Sequence, residues 1–381
     1  MAINNRGVTV TSDISRQLDQ FQFTPSSFST SKVFRDTVYK HFLLEIYGAL
    51  QVTYASGTPV SDDTSTLSRL INFIKVEAGG DVTLKNVNPW FLHMQSVFAT
   101  GQFNKRLCDT GAAAIDPDDL TADAKFLYPT TTEFSSFAEA ILISFENVLA
   151  GEGRPRTWWD TRGLPSANLQ LTTAAYSNLL AFGNTAPATY ADNDSVFVKI
   201  TTIETQNVPQ NLGFQTWKQT QKTVSASAAG ERREEIVRGN FLQGIMFQVR
   251  NGSAGTATTD LGKALSNSAL KGIQLIINGT QTLQTTSFQD LQNKNRNRYG
   301  LNVPYVNDKS ILTGIAYMDL LNPLGGEKYG SLSTAQDLRA PMVDMVEVSL
   351  DFNSNGTYAV PATVTMMFNE IIKPAGSNSK S

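Results

Sequence analysis

Apolar positions fall in the same order twice along this chain, in residues 35–86 and again in 234–285, aligned without a gap at an offset of 199. Val38, Phe42, Leu43 and Ile46 in the first copy stand against Val237, Phe241, Leu242 and Ile245 in the second. Ile71, Ile74, Gly80, Thr83 and Leu84 stand against Leu270, Ile273, Gly279, Thr282 and Leu283. A period this long exceeds the ~20–50 residues of a solenoid repeat, so it predicts two tandem domains of one fold.

The elements follow from the same pattern. FLLEIYGALQVTY (42–54) and RLINFIKVEA (69–78) are rich in β-branched, leucine and aromatic residues and predict strands, with AGGD turning tightly into VTLKNV. Residues 89–99 predict a helix opened by Pro89. Strands are predicted at 135–149, 168–174 and 195–205. The composition of 136–149 suits a buried strand or a short helix alike. It is read as a strand because its counterpart ILTGIAYMDLL (311–321) contains glycine and leans towards β. The second copy repeats the order, with FLQGIMFQV, LKGIQLIINGTQTL, a helix-like SFQDLQNKNRNR, then MVEVSLDF and ATVTMMFNEII. A second echo sets Asp160, Arg162 and Pro165 against Asp337, Arg339 and Pro341, each ahead of an alternating strand.

Outside the copies lie an N-terminal arm (1–34), a polar linker (206–235) and a flexible tail (374–381), leaving domains at 35–205 and 236–373. In the arm, Ile14, Leu18 and Phe21 recur at i, i+4 and i+7 behind Ser12 as an N-cap, which predicts a short helix. A single stripe of that length is marginal in water, so the arm must dock on its own domain, a neighbouring subunit or a lipid surface. The expected fold class is all-β: two tandem eight-stranded jelly rolls with short helical insertions, the usual eight-stranded sandwich.

Composition narrows the function classes. Two domains suit 381 residues. The charged fraction of 17% lies below the ~25% of an ordinary globular chain, and Ser, Thr, Asn and Gln take its place, as suits β surfaces that meet other subunits. A net charge of −3 gives no call for a specific nucleic-acid partner. Cys108 is the single cysteine, which excludes an intrachain disulfide and a thiolate metal cluster. No apolar run is long enough to span a membrane, and the first residues lack the layout of a secretory signal, so synthesis in a cytoplasm is expected.

KHFLLEIYGALQVTY followed by SRLINFIKVEAGGDVTLKNVNPWFLHMQS resembles the first two strands, hairpin and following helix of a known family. These are the double jelly-roll major capsid proteins of the adenovirus and tailless, membrane-containing bacteriophage lineage, and the likeness runs over about residues 36–373. The resemblance implies a homotrimer forming a pseudo-hexagonal capsomer of an icosahedral virion capsid. Its implied partners are neighbouring capsomers, minor capsid and penton proteins, and an internal lipid membrane reached through the arm at Ile14, Leu18 and Phe21. It implies no enzyme activity and no cofactor or metal.

The histidines are His41 and His93, and nothing in the sequence sets an acid beside either as a triad requires. Cys108 has Lys105 and Arg106 nearby, which lower a thiol pKa, but a lone loop thiol is ordinarily incidental. Asp116, Asp118 and Asp119 lack the glycine and terminal glutamate of a calcium loop and read as a solvated acidic loop. Asn251, Asn278 and Asn355 each precede glycine and read as hairpin turns rather than glycan acceptors. Asp160, Arg162, Asp337 and Arg339 pair either within a corner or across a subunit interface. The rival function is a carbohydrate-binding or glycan-degrading jelly roll built on Trp158 and Trp159; dispersal of the aromatics along the chain argues against it.

Overall fold

The computed structural model describes residues 12–53, 70–100, 107–109, 134–147, 157–176, 189–206, 208, 214–236, 240–250, 265–277, 279, 281–301, 314–320, 338–339, 346–353 and 362–372. Its first unit contains β1 (Ser12–Gln22), β2 (Phe28–Lys32), β3 (Val38–Thr53), β4 (Ile71–Ala78), β5 (Val82–Val87), helix α1 (Pro89–Thr100), β6 (Leu107–Asp109), β7 (Ser135–Ser144), β8 (Trp159–Asp160), β9 (Ala167–Thr173), β10 (Thr189–Ala191) and β11 (Phe197–Gln206). The second contains β12 (Trp217–Ala226), β13 (Gly230–Glu235), β14 (Phe241–Arg250), β15 (Leu270–Ile277), β16 (Gln281–Ser287), helix α2 (Phe288–Tyr299), β17 (Ile315–Asp319), β18 (Leu338–Arg339), β19 (Val346–Phe352) and β20 (Ala362–Ile371).

Eight principal strands build each unit as two facing four-stranded sheets. The first unit pairs β1-β11-β3-β7 against β5-β4-β9-β2, and the second pairs β12-β20-β14-β17 against β16-β15-β19-β13. The two units are therefore jelly rolls of one topology, as the repeat predicts. The correspondence is residue for residue. Ile74 lies opposite Val87 in one hairpin and Ile273 opposite Thr286 in the other, and both hairpins bulge at the same place, Val76/Glu77 and Leu275/Ile276. Gly80 and Gly279 both take positive φ, at 92° and 70°, which a residue with a Cβ resists. The offset carries on through the helices, since Pro89–Thr100 and Phe288–Tyr299 are 199 apart at both ends.

Two segments differ from expectation. The arm is not a helix, because Ser12–Gln22 is a strand paired along its length with β11. A bulge between Gln17 and Asp19 inserts one residue, so a two-residue alternation gives a step of four from Ile14 to Leu18 and of three from Leu18 to Phe21. That spacing imitates a helical stripe. The predicted linker 206–235 is likewise built: Trp217–Ala226 pairs with β20 and Gly230–Glu235 with β19. These two strands are the second unit's counterparts of β1 and β2. The alternation of β12 is hidden because the amides Gln219 and Gln221 stand at inward positions between Trp217 and Val224.

Each unit has its own core. In the first, Phe42 is fully buried among Tyr39, Phe145 and Trp159, with ring centroids 5.0, 5.0 and 6.0 Å away. Met246, Leu301, Ile315, Tyr317 and Met367 of the second unit join this cluster, so the first core continues across the junction.

Candidate functional site

The junction is a strand seam. β5 of the first unit runs parallel to β12 of the second, with Lys85 opposite Gln219 and Asn86 opposite Thr220, which fuses two four-stranded sheets into one. Leu84 and Lys85 are neighbours and both are buried, so both faces of β5 are covered. Lys85 Nζ donates to Gln219 Oε1. Gln219 Nε2 in turn donates to Gln95 Oε1 at 2.7 Å and to Asn369 Oδ1 at 2.8 Å. The Trp217 ring centre lies 4.1 Å from Nζ and that of Phe145 5.4 Å. The Asn88 amide donates to Gln221 Oε1 at 2.7 Å, and Asn147 Nδ2 to Gln243 Oε1 at 2.5 Å. The hydrogen bonds just described form in one register only, because a slip leaves their buried donors and acceptors desolvated and unpaired. The seam thus fixes how one barrel sits against the other.

Burial pushes the Lys85 amine well below its ordinary 10.5, with the aromatic faces acting weakly in the opposite direction. The unfolded chain holds this proton up to its ordinary pKa, whereas the folded chain gives it up earlier. In the window between the two values stability therefore rises with pH. Lys85→Gln, which places here the residue found at the matching position 284, is expected to flatten the rise in melting temperature as pH climbs towards the ordinary lysine value of 10.5. An unchanged slope, measured by calorimetry, counts against a depressed Lys85.

Beside the seam lies a charged corner. Arg162 holds Asp160 in a two-pronged pair, Nε to Oδ1 at 2.9 Å and Nη2 to Oδ2 at 2.7 Å, and donates from Nη1 to the Val208 carbonyl at 2.7 Å. The bonds between Asp160 and Arg162 lie within the chain, at one corner. Arg16 of β1 bonds Glu204 at 2.9 Å and Asp36 at 3.0 Å, and its guanidinium lies 4.1 Å above Phe34. These contacts, led by the Glu204 bond, raise the Arg16 pKa. A cavity of about 320 Å³ opens between Arg16, Asp36, Arg162 and Glu204. Arg339 sits in β18 opposite Phe241, and Asp337 lies outside the described residues. Leu18 and Phe21 pack on the first core and Ile14 lies opposite Glu204, so these three belong to a strand of the barrel.

The remaining candidates resolve into packing. His41 Nδ1 lies 3.1 Å from Ser144 Oγ and its Nε2 3.7 Å from Glu146, a serine–histidine–glutamate arrangement that the sequence did not reveal. Ser144 Oγ, however, donates to the Glu146 carbonyl at 2.9 Å and accepts from the Glu146 amide at 3.1 Å, and the residue is buried. The hydroxyl closes a turn at the end of β7. Burial lowers the His41 pKa, with Glu146 acting against it. Trp159 is core, and the half-buried Trp158 ring lies against Lys40 at 4.6 Å and Phe214 at 6.3 Å. Cys108 lies in β6 opposite Phe137. Lys105, Arg106, Asp116, Asp118, Asp119, Asn251, Asn278 and Asn355 lie outside the described residues. Among the described residues no three His, Cys, Asp or Glu side chains gather as a metal site, and no helix is long and apolar enough to cross a membrane.

No protein-family profile matches the chain, and no curated protein matches it in sequence. Solved structures do. The major capsid protein (MCP) of STIV, Sulfolobus turreted icosahedral virus, superposes with a TM-score of 0.63 at 12% identity, covering 95% of this chain and 97% of that one. The PBCV-1 virus capsid gives 0.57 at 11% identity over 98% and 97% of the two chains. The major capsid protein of bacteriophage PM2 gives 0.52 at 10% over 96% and 100%. The chain has the double jelly-roll fold of these capsid proteins.

Proposed function

We propose that this chain is the major capsid subunit of a tailless icosahedral virus and that three copies associate into a pseudo-hexagonal capsomer. The observation that carries the reading is the seam. Two barrels of one topology, joined side by side through β5 and β12, form one third of a ring of six, and the fold is shared over nearly the whole length of known capsid proteins. Duplication serves that geometry, since two fused barrels let a three-fold assembly present a near six-fold outline that tiles flat facets. Neighbouring capsomers are the further partners in this reading, and the work of the protein is burial of complementary surface rather than turnover. Interfaces of obligate assemblies bury ~2,000–5,000 Å² or more.

Sedimentation tests it. Purified protein at micromolar concentration is expected to run as three copies of the 41.6 kDa chain. A stable monomer sinks the proposal, because an obligate trimer leaves no folded single chain to populate.

A further inference from the structure

The internal seam has a twin whose two halves lie on different units of the same chain, at the edges of separate sheets. β16 is the second unit's copy of β5: Lys85 pairs with Val76, and Gln284 pairs with Leu275, 199 positions on. β1 is the first unit's copy of β12. Gln219 reaches Gly244 through Asn369, and Gln20 reaches Glu45 through Lys199, again 199 apart. Thr220 and Phe21 correspond in the same way through Phe368 with Ile245 and Val198 with Ile46. β5 and β12 are joined. Among the described residues β16 pairs only with β15 and β1 only with β11, so each presents an open row of backbone donors and acceptors.

Burial records the missing neighbour. Gln219 is fully buried in the internal seam, whereas Gln20 is exposed. On the helices beside the two edges, Trp90, Phe91 and Gln95 of α1 are buried, Gln95 against Gln219 of the second barrel, while the matching Gln289, Asp290 and Lys294 of α2 are exposed. The second edge thus keeps the strand geometry of the first, with polar Gln289 and Asp290 on α2 where α1 has Trp90 and Phe91.

Resting on the capsid reading, we infer that β16 of one copy seats parallel to β1 of a second copy, with Gln284 opposite Gln20 and Thr285 opposite Phe21. The contact joins different faces of the two copies, and such head-to-tail contacts close into rings when the rotation permits. Here each chain contributes one internal and one external seam, and three chains alternate the two around a ring of six barrels.

Cysteine pairing tests the register. In a Cys108→Ser background, Gln20→Cys with Gln284→Cys, bridged by mild oxidation or a short bis-maleimide, is expected to give a covalent trimer as the main band on a non-reducing gel. Each single variant stays at one chain, as does the shifted pair Gln20→Cys with Gln281→Cys. A trimer by sedimentation that gives no bridge, or that bridges equally in the shifted pair, overturns the inference while leaving the capsid reading intact. Failure of the unmodified chain to form a trimer overturns the capsid reading itself. A second measurement needs no variant: in the wild-type trimer the backbone amides of β16 are expected to exchange hydrogen as slowly as those of β5. Fast exchange along β16 in a sedimentation-verified trimer overturns the inference.

Discussion

Removal of residues 12–32 is expected to abolish folding of the first barrel. The segment supplies β1, which pairs with β11 from Ser12–Gln206 to Gln22–Phe197, and β2, which pairs with β9. It also carries Phe23, 2% exposed in the core, and its Phe23 amide donates to the Val196 carbonyl at 2.8 Å. Arg16 leaves with it. Glu204, 1% exposed, then keeps a buried carboxylate without its cation, a loss of about 3–5 kcal/mol before any apolar term is counted. Side chains such as Leu18, Phe21 and Phe23 add ~1.5–3 kcal/mol for each that is fully returned to water. The sum reaches the whole ~5–15 kcal/mol stability of a typical domain. Limited proteolysis of the truncated chain is expected to consume residues 33–206 first. A truncated protein with an unchanged cooperative melt would show β1 and β2 to be peripheral. Arg16→Met offers a milder form of the same test and is expected to cost about 3–5 kcal/mol by denaturant unfolding.

Gly48→Val is the most damaging single substitution to be expected in the first barrel. Gly48 sits within β3 at φ +152°, where a Cβ would lie 2.4 Å from the Ser195 carbonyl oxygen and 2.7 Å from the Val196 Cα. Both neighbours are backbone and neither can turn away. Backbone strain and overpacking each cost about 1–3 kcal/mol, and a valine incurs both. For a protein of this size that lowers the melting temperature by roughly 2–4 °C per kcal/mol. Gly163→Ala is the control, since at φ +83° nothing lies within 4 Å of the new carbon and only the backbone term remains. Equal melting temperatures for the two variants would contradict the close approach of β3 to the Ser195 turn.

The duplication was legible in sequence because the positions that carry it face apolar cores. Ile46 and Ile245, Ile74 and Ile273, and the turn glycines Gly80 and Gly279 answer to packing and turn geometry within one barrel, and packing writes a period-two pattern that survives low identity. Helix α1 was readable from Pro89 and its apolar run, and α2 from its place in the repeated order. β1, β12 and β13 were not readable. In β1 a bulge broke the alternation into helix-like steps. In β12 the inward residues Gln219 and Gln221 are polar because they meet the other barrel, and β13 is a charged edge. Lys85 reads as a surface lysine until the second unit closes over it. The sequence by itself determined that there are two barrels, of one topology, with a helix at the same place in each. Only the tertiary structure decided which polar residues are buried between them and which strand edges stay open, because those depend on what lies beyond each barrel's own core.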